Sequence, residues 1–318
     1  MEYRALGSSG VDVSRIILGC GNFGGIGSSP AFFGGGETEA EAHALLDAAW
    51  EAGITTYDTA DAYGGGRSET YLGNWLRSQG PDVRDRIVLT TKTFNPMTEG
   101  ADSGLAPARV RRQLTTSLER LGVDALDLYL PHAMDDATPV AETVGAFEEL
   151  VAEGWIRAYG GSNVDADWLE EALRHGRPAW VQNSHSLLER DDEAGVLPVV
   201  AREGLGYTPF SPLAGGWLTG KYRRDEEPPA GSRMTLRPEP YRHLEDGRVY
   251  DALEAFEAIA HERETTPAAL AIAWLLGHPH VTAVVIGPRR PDQLRPALNA
   301  VQFELSPPEH EQLTELFA

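Results

Sequence analysis

Residues 87–92 read Ile87-Val88-Leu89-Thr90-Thr91-Lys92. They are followed by a segment opening at Pro107 in which Val110, Leu114, Ser117, Leu118 and Leu121 recur at intervals of three and four, with Gly122 after its end. A second apolar run, Leu126-Asp127-Leu128-Tyr129-Leu130, comes next. Apolar recurrence at three and four residues marks one face of a helix, and Pro near its start with Gly past its end is the ordinary helix punctuation. The short β-branched runs on either side read as strands, Ile87 to Thr90 and Leu126 to Leu130, with Lys92 delivered just beyond the first. A strand, a helix and a strand in that order form a βαβ unit, the building block of a parallel sheet.

The same unit recurs along the chain. Ile16 to Leu18, Ile54 to Tyr57, Ile156 to Tyr159, Trp180-Val181, Leu205 to Tyr207 and Ala283 to Ile286 bring the strands to eight. Helical spacing fills the segments between them: Leu45 to Ala52 behind a Thr38 cap and before a Gly53 stop, then Val140 to Glu153, Ala166 to His175 and Val249 to Glu262. Tyr3 to Val13, with Gly7-Ser8-Ser9-Gly10 at its centre, reads as a hairpin. No Gly-x-Gly-x-x-Gly follows a first strand, which lowers the case for an open dinucleotide-binding sheet. The expected fold is an α/β (β/α)₈ TIM barrel, one domain over residues 1–318, with an N-terminal β-hairpin. Two long non-periodic stretches, Gly21 to Gly36 and Leu213 to Gly247, are expected as binding loops on its C-terminal face.

Composition narrows the function. The 318 residues carry 27 basic and 48 acidic side chains, a net charge of −21, which disfavours nucleic acid and anionic lipid as partners. The longest apolar run, Ala268 to Leu276, is nine residues, where a membrane span needs about twenty. Met1-Glu2-Tyr3-Arg4 has neither the basic flank nor the apolar stretch of a secretory signal, and one cysteine, Cys20, cannot build a disulfide framework. A cytoplasmic location is expected. Of the basic residues only two are lysines, Lys92 and Lys221. In so Arg-biased a chain, each marks a place where Arg would not serve, or an accident of composition.

Catalytic groups of a (β/α)₈ barrel sit at the C-terminal ends of its strands. Those ends carry Asp58 with Tyr63 five residues on, then Lys92, His132, Ser162-Asn163, Gln182-Asn183, Phe210-Ser211-Pro212-Leu213 and Gly287-Pro288-Arg289-Arg290. Singly, most have ordinary structural readings: an Asp after a strand is usually a turn former or cap. Together, Asp, Tyr, Lys and His from three consecutive strands make a set. A free phenol is a poor acid at neutral pH; a neighbouring ammonium lowers its pKa, a carboxylate holds the ammonium, and an imidazole orients a substrate oxygen. Such a set protonates a carbonyl oxygen or deprotonates an alcohol. It contains no activated Ser or Cys and no metal-ligand spacing, so metal is not expected. Its redox partner must be a hydride carrier, and a nicotinamide cofactor is the candidate.

The chain resembles the aldo-keto reductases over roughly residues 2 to 315, in the branch holding bacterial reductases and the β-subunits of voltage-gated potassium channels. The resemblance rests on Leu6-Gly7-x-Ser9-Gly10-Val11, Asp58-Thr59-Ala60-Asp61-x-Tyr63-Gly64, Leu126-Asp127-Leu128-Tyr129-x-x-His132, Gly160-Gly161-Ser162-Asn163, Val181-Gln182, Ser211-Pro212-Leu213 with Leu218-Thr219-Gly220-Lys221, and Gly287-Pro288-Arg289. It implies a catalytic tetrad of Asp58, Tyr63, Lys92 and His132, with Tyr63 the general acid and Lys92 lowering its pKa. It implies NADPH as cofactor. Ser162, Asn163 and Gln182 would grip the nicotinamide amide, Phe210 would stack on the ring, and Gly21, Asn22 and Phe23 would lie beside it. Ser211, Pro212, Leu213 and Gly215 would hold the pyrophosphate; Lys221, Arg233, Gly287, Arg289 and Gln293 would meet the adenosine and its phosphates. The family's Glu-Asn pair after Gln293 is replaced by Pro296-Ala297, and its Tyr at 185 by His185.

The implied activity is NADPH-dependent reduction of a small-molecule aldehyde or ketone to an alcohol. Two rival expectations stay open: a cofactor-binding regulatory subunit with slow turnover, resembling the channel β-subunits, and a Schiff-base enzyme built on Lys92. Oligomeric state and the particular carbonyl are not legible.

Overall fold

In a computed structural model of the protein, describing residues 1–98, 100 and 102–318, the quoted stretch forms strand β5 (Val88–Thr93), a helix (Pro107–Leu121) and strand β6 (Leu126–Pro131). The strand is longer than its apolar run: Lys92 lies inside β5, pairing with Leu130, because its buried ammonium finds partners that let the ladder continue. The helix opens on Pro107 and ends at Gly122 in the left-handed conformation, φ 72°, as the punctuation predicts. The helix Glu39–Glu51 is closed by a capping box in which Thr38 Oγ1 accepts from the Glu41 amide and Glu41 Oε2 accepts from the Thr38 amide.

The remaining strands are β1 (Tyr3–Ala5) and β2 (Asp12–Ser14) of the hairpin, β3 (Ile16–Gly19), β4 (Thr56–Asp58), β7 (Ile156–Tyr159), β8 (Gly161–Ser162), β9 (Trp180–Gln182), β10 (Gly206–Tyr207) and β11 (Val284–Ile286). Two parallel sheets, in the orders β11-β3-β4-β5-β6-β7 and β10-β9-β8, make up the wall. They are continuous at both joints. β7 and β8 are one strand interrupted at Gly160, where a Cβ would stand 2.2 Å from the Trp180 carbonyl oxygen. At the other joint the Thr282 amide donates to the Tyr207 carbonyl at 2.8 Å, and the Val285 amide to that of Pro209 at 2.9 Å. The wall therefore closes into the expected eight-membered barrel, with the broken strand counted once.

Alternation along the strands separates two cores. Leu18, Tyr57, Leu89 and Tyr129 face outward into the helix layer, while Ile17, Val88, Leu128, Leu130 and Val285 fill the barrel. Leu6, Val11 and Val13 of the hairpin join the inner core and plug the barrel's N-terminal end. That plug requires Gly7, at φ 51°, since a Cβ there would meet the Ala179 carbonyl oxygen at 2.1 Å. Half-buried Phe210 covers the same inner core from the opposite end, where the C-terminal ends of the strands gather.

The helices not anticipated include Arg67–Ser78, Val196–Glu203 and Pro267–Gly277. The last is the nine-residue apolar run; it is buried all round from Ala268 to Leu275, so it shows no periodicity to read. Among the described residues no helix is long and apolar enough to cross a membrane.

Candidate active site

The mouth assembles from the strand ends. Asp58 closes β4, Tyr63 opens the turn Tyr63–Gly65, Lys92 projects from β5, and His132 directly follows β6. The Lys92 ammonium, 1% exposed, spends its three hydrogens on Asp58 Oδ2 at 2.5 Å, the Thr59 carbonyl at 3.0 Å and the Tyr63 hydroxyl at 3.4 Å. Asp58 Oδ1 accepts from Gln182 Nε2 at 3.0 Å, which ties β9 to the same carboxylate. The Tyr63 hydroxyl also lies 3.4 Å from His132 Nε2. All four expected tetrad residues thus meet at one point.

The protonation states follow from neighbours. Burial works against the Lys92 ammonium, but Asp58 and Tyr63 outweigh it and hold its pKa above the ordinary lysine value. A lysine held so firmly as ammonium is no amine nucleophile, which argues against the Schiff-base alternative. Burial also pushes the Tyr63 hydroxyl above the usual phenol range, with Lys92 pulling only partly the other way. This corrects the expectation of a net lowered phenol: desolvation of the phenolate exceeds the pull of an ammonium already neutralised by Asp58. The resting Tyr63 is a neutral O–H donor. Burial, then Lys92, drives His132 well below the ordinary imidazole value, so it is neutral. Asn95 decides its tautomer. The Asn95 Nδ2 amide lies 3.2 Å from His132 Nδ1; with Nδ2 donating, Nδ1 accepts and Nε2, facing the Tyr63 hydroxyl, is the protonated nitrogen.

Ser162 and Asn163 follow on β8. Asn163 is held at φ 54° and donates from Nδ2 to the His132 carbonyl at 2.8 Å. Asn183 secures this loop from behind: its side chain accepts from the Val164 amide at 3.1 Å and donates to the Val164 carbonyl at 2.7 Å. Gly21 faces the Tyr63 ring, its Cβ position 3.6 Å from the ring carbons. Phe210, Ser211, Leu213 and Gly215 line the rim half-buried, with Pro212 buried beneath; Ser211 and Ala214 adopt left-handed φ of 55° and 45°. Arg233 is half-buried, and its Nη2 lies 3.5 Å from Asn22 Oδ1. Gly287, Arg289 and Gln293 are exposed at the end of β11, where Gln293 Oε1 accepts from the Arg289 amide at 2.7 Å. The exposed Lys221 places its ammonium over the Tyr222 ring at 5.0 Å.

Phe23, Arg289 and Ala297 are each held by packing or pairing. The Phe23 ring is fully buried in the outer core and offers no face to the mouth. Arg289 is not a free cation: its Nε donates to Glu37 Oε1 at 2.5 Å. Ala297 is packed in the core, within the helix Arg295–Val301. His185 proves a packing residue, stacked on Trp274 with ring centroids 5.5 Å apart and lowered by burial to a pKa of about 4. Asn95 and Glu37 escape sequence reasoning altogether, and Asn183 is met there only as a strand-end residue without its role, because each acts through a partner remote in the chain.

Behind the tetrad, Asp61 is wholly buried. Its Oδ2 accepts from Thr93 Oγ1 at 2.7 Å, and Thr93 Oγ1 accepts in turn from Arg109. Asp61 Oδ1 has no hydrogen-bond partner among the described residues. Burial, then the Glu69 charge, raises its pKa to about 7 from 3.8. A carboxyl raised on folding stabilises the native state below its unfolded value, and that contribution is lost as pH climbs through the folded value. Between about pH 4 and pH 7 the loss is on the order of 4 kcal/mol at 1.36 per unit. Asp61→Asn, which mimics the protonated acid, is expected to melt higher than the wild type at alkaline pH and to flatten the decline. Parallel melting curves across that range, unchanged by the substitution, would exclude Asp61 as the source.

The comparisons agree with this geometry. The family model described as "Aldo/keto reductase family" matches residues 15–318. The "Uncharacterized oxidoreductase YrpG" of Bacillus subtilis (strain 168) is 36% identical, with 100% of this chain and 96% of that protein covered. The "NADH-specific methylglyoxal reductase" of Escherichia coli (strain K12) is 32% identical, over 96% of this chain and 95% of its own. A "Probable voltage-gated potassium channel subunit beta" of Arabidopsis thaliana is also 32% identical, covering 95% and 91%. With the tetrad gathered at the open end of a closed barrel and a family model spanning nearly its whole length, the chain belongs to the aldo/keto reductase family, whose members are nicotinamide-dependent carbonyl oxidoreductases.

Proposed function

We propose that the protein, working as one barrel domain over residues 1–318, reduces an aldehyde or ketone to the alcohol with NADPH and with Tyr63 as the general acid. The observation that carries this reading is the Lys92 ammonium bridging Asp58 and the Tyr63 hydroxyl, with His132 Nε2 on the hydroxyl's other side. The donor set also fits a dinucleotide: amide and hydroxyl groups of Ser162, Asn163 and Gln182 gather beside the tetrad, and guanidiniums gather at the rim. Bound there, the nicotinamide supplies hydride to the carbonyl carbon. His132 Nε2–H donates a hydrogen bond to the carbonyl oxygen and orients it. The Tyr63 proton moves to that oxygen as negative charge develops on it, leaving a phenolate beside the Lys92 ammonium. Asp58 keeps the ammonium in place, and solvent returns the proton to Tyr63.

The preference for NADPH rests on Arg233. No carboxylate among the described residues lies within ion-pair distance of it, and Arg237 and Arg289 crowd it with like charge. In a chain of net charge −21, such a site suits a phosphate. Charge-assisted hydrogen bonds of about 1.5 to 3 kcal/mol correspond to roughly ten- to a hundredfold in affinity. Arg233→Ala is therefore expected to weaken NADPH by that factor and leave NADH nearly unchanged in fluorescence titrations; equal losses would detach Arg233 from the phosphate. The relative named for NADH specificity makes the comparison necessary. A panel of aldehydes and ketones, followed by loss of reduced-nicotinamide absorbance, tests the reaction. Cofactor binding without turnover on any carbonyl would favour the regulatory reading suggested by the relatives named as channel subunits.

A further inference from the structure

The rim holds one group that the reaction does not use. Glu37 sits between the Gly21 to Gly36 loop and the helix Glu39–Glu51, with its backbone pinned: its amide donates to the Asn22 carbonyl and its carbonyl accepts from the Gly24 amide, both at 2.9 Å. The side chain is 4% exposed. Oε1 accepts a hydrogen bond from Arg289 Nε at 2.5 Å, while Oε2 is buried without a hydrogen-bond partner among the described residues. Arg289 reaches on to the Gly231 carbonyl at 3.4 Å, and Arg233 to Asn22, whose backbone carbonyl holds the Glu37 amide. Glu37 thus stands against Arg289, at the edge of the cation cluster.

We propose that Glu37 is a specificity-determining residue that restrains NADPH relative to NADH by competing with the cofactor's 2′-phosphate for Arg289. The proposal rests on the reading that Arg233 and Arg289 face the adenosine phosphate. A phosphate at this stage of ionisation offers only acceptors and negative charge, so it must draw Arg289 away from Glu37 and then sit against a carboxylate. The 2′-hydroxyl of NADH carries no charge and makes no such demand on Arg289, so the pair with Glu37 can stay in place when NADH binds. Burial already raises the Glu37 pKa, and the hydrogen bond from Arg289 together with its positive charge opposes that shift, so the carboxylate depends on Arg289 for its charge. Any group that takes Arg289 leaves it exposed to the full penalty of a buried, unpaired charge.

Glu37→Gln keeps the shape and removes the charge; Glu37→Met removes the hydrogen bonding as well. Melting curves first establish that both variants fold. The readout is the ratio of the NADH to the NADPH dissociation constant, measured by fluorescence titration on the purified chain with each cofactor. In both variants the ratio is expected to rise about tenfold over the wild type, mainly through tighter NADPH. A change under threefold in both overturns the proposal. A rise in Gln alone also overturns it, since the effect would then come from the new amide and not from the lost charge. Wild-type binding of NADH tighter than NADPH sinks the NADPH reading instead, and the shift in the ratio still decides the role of Glu37.

Discussion

Tyr63→Phe is expected to lower kcat by roughly 10²- to 10⁴-fold, the range that positioned general acid catalysis supplies. The substitution removes the hydroxyl that stands 3.4 Å from both Lys92 Nζ and His132 Nε2 and keeps the ring that faces Gly21. Among the described residues, neither of the other titratable groups that touch this hydroxyl is placed to replace the proton. His132 is neutral, its remaining proton is committed to orienting the oxygen, and Lys92 is held as ammonium by Asp58. Ser162, Asn163 and Gln182, proposed above to hold the cofactor, make no hydrogen bond to the Tyr63 hydroxyl, so on that proposal NADPH affinity is expected to change little. Because burial raises the phenol's pKa, carbonyl reduction should persist through neutral pH. Alcohol oxidation, which begins from the phenolate, should rise with pH instead. Near-normal turnover of the Phe variant would remove Tyr63 from the mechanism.

The barrel is legible in the chain because its strands and helices carry unlike periodicities, and the stops at Gly53 and Gly122 fall where helices end. Segments that escape have a physical reason. The helix Pro267–Gly277 is buried on every side, so no polar stripe marks its period. Strand β5 outruns its apolar letters because tertiary partners neutralise a lysine that looks like a terminator. At the site, the tetrad is legible as a set because topology alone brings consecutive strand ends to one mouth. The roles of Asn95, Asn183 and Glu37 are not. Each depends on a contact across 19 or more residues, such as Glu37 with Arg289, and no local spacing announces such a partner. The sign of the Tyr63 shift is missed for a related reason: sequence names the neighbouring cation but not the amount of water the fold removes from the phenol.

Lys92→Met is expected to cost both stability and rate, and the two losses can be separated. The substitution leaves Asp58, a carboxylate 3% exposed, with Gln182 as its one side-chain hydrogen-bond donor among the described residues. Breaking a buried pair from one side costs about 3 to 5 kcal/mol, because the surviving charge stays unpaired. The melting temperature should fall accordingly. Adding Asp58→Asn to Lys92→Met removes that charge and should recover most of the stability. Activity should not return, since no ammonium then stands beside the phenolate that proton transfer leaves on Tyr63. Lys92→Arg poses the sharper question. It keeps the charge, and in a chain with 25 arginines and two lysines it is the replacement that composition favours. The site in β5 is shaped for a compact ammonium with three divergent donors, directed at Asp58, the Thr59 carbonyl and Tyr63. A planar guanidinium pairs with Asp58 through two parallel bonds and cannot also reach along the other two directions from the same centre. Its greater bulk has no room at a position 1% exposed. Lys92→Arg is therefore expected to melt closer to the wild type than Lys92→Met and to lose activity nearly as completely. Full activity in the Arg enzyme would show that the charge alone suffices and that the divergent hydrogen bonds of the ammonium contribute nothing to proton transfer.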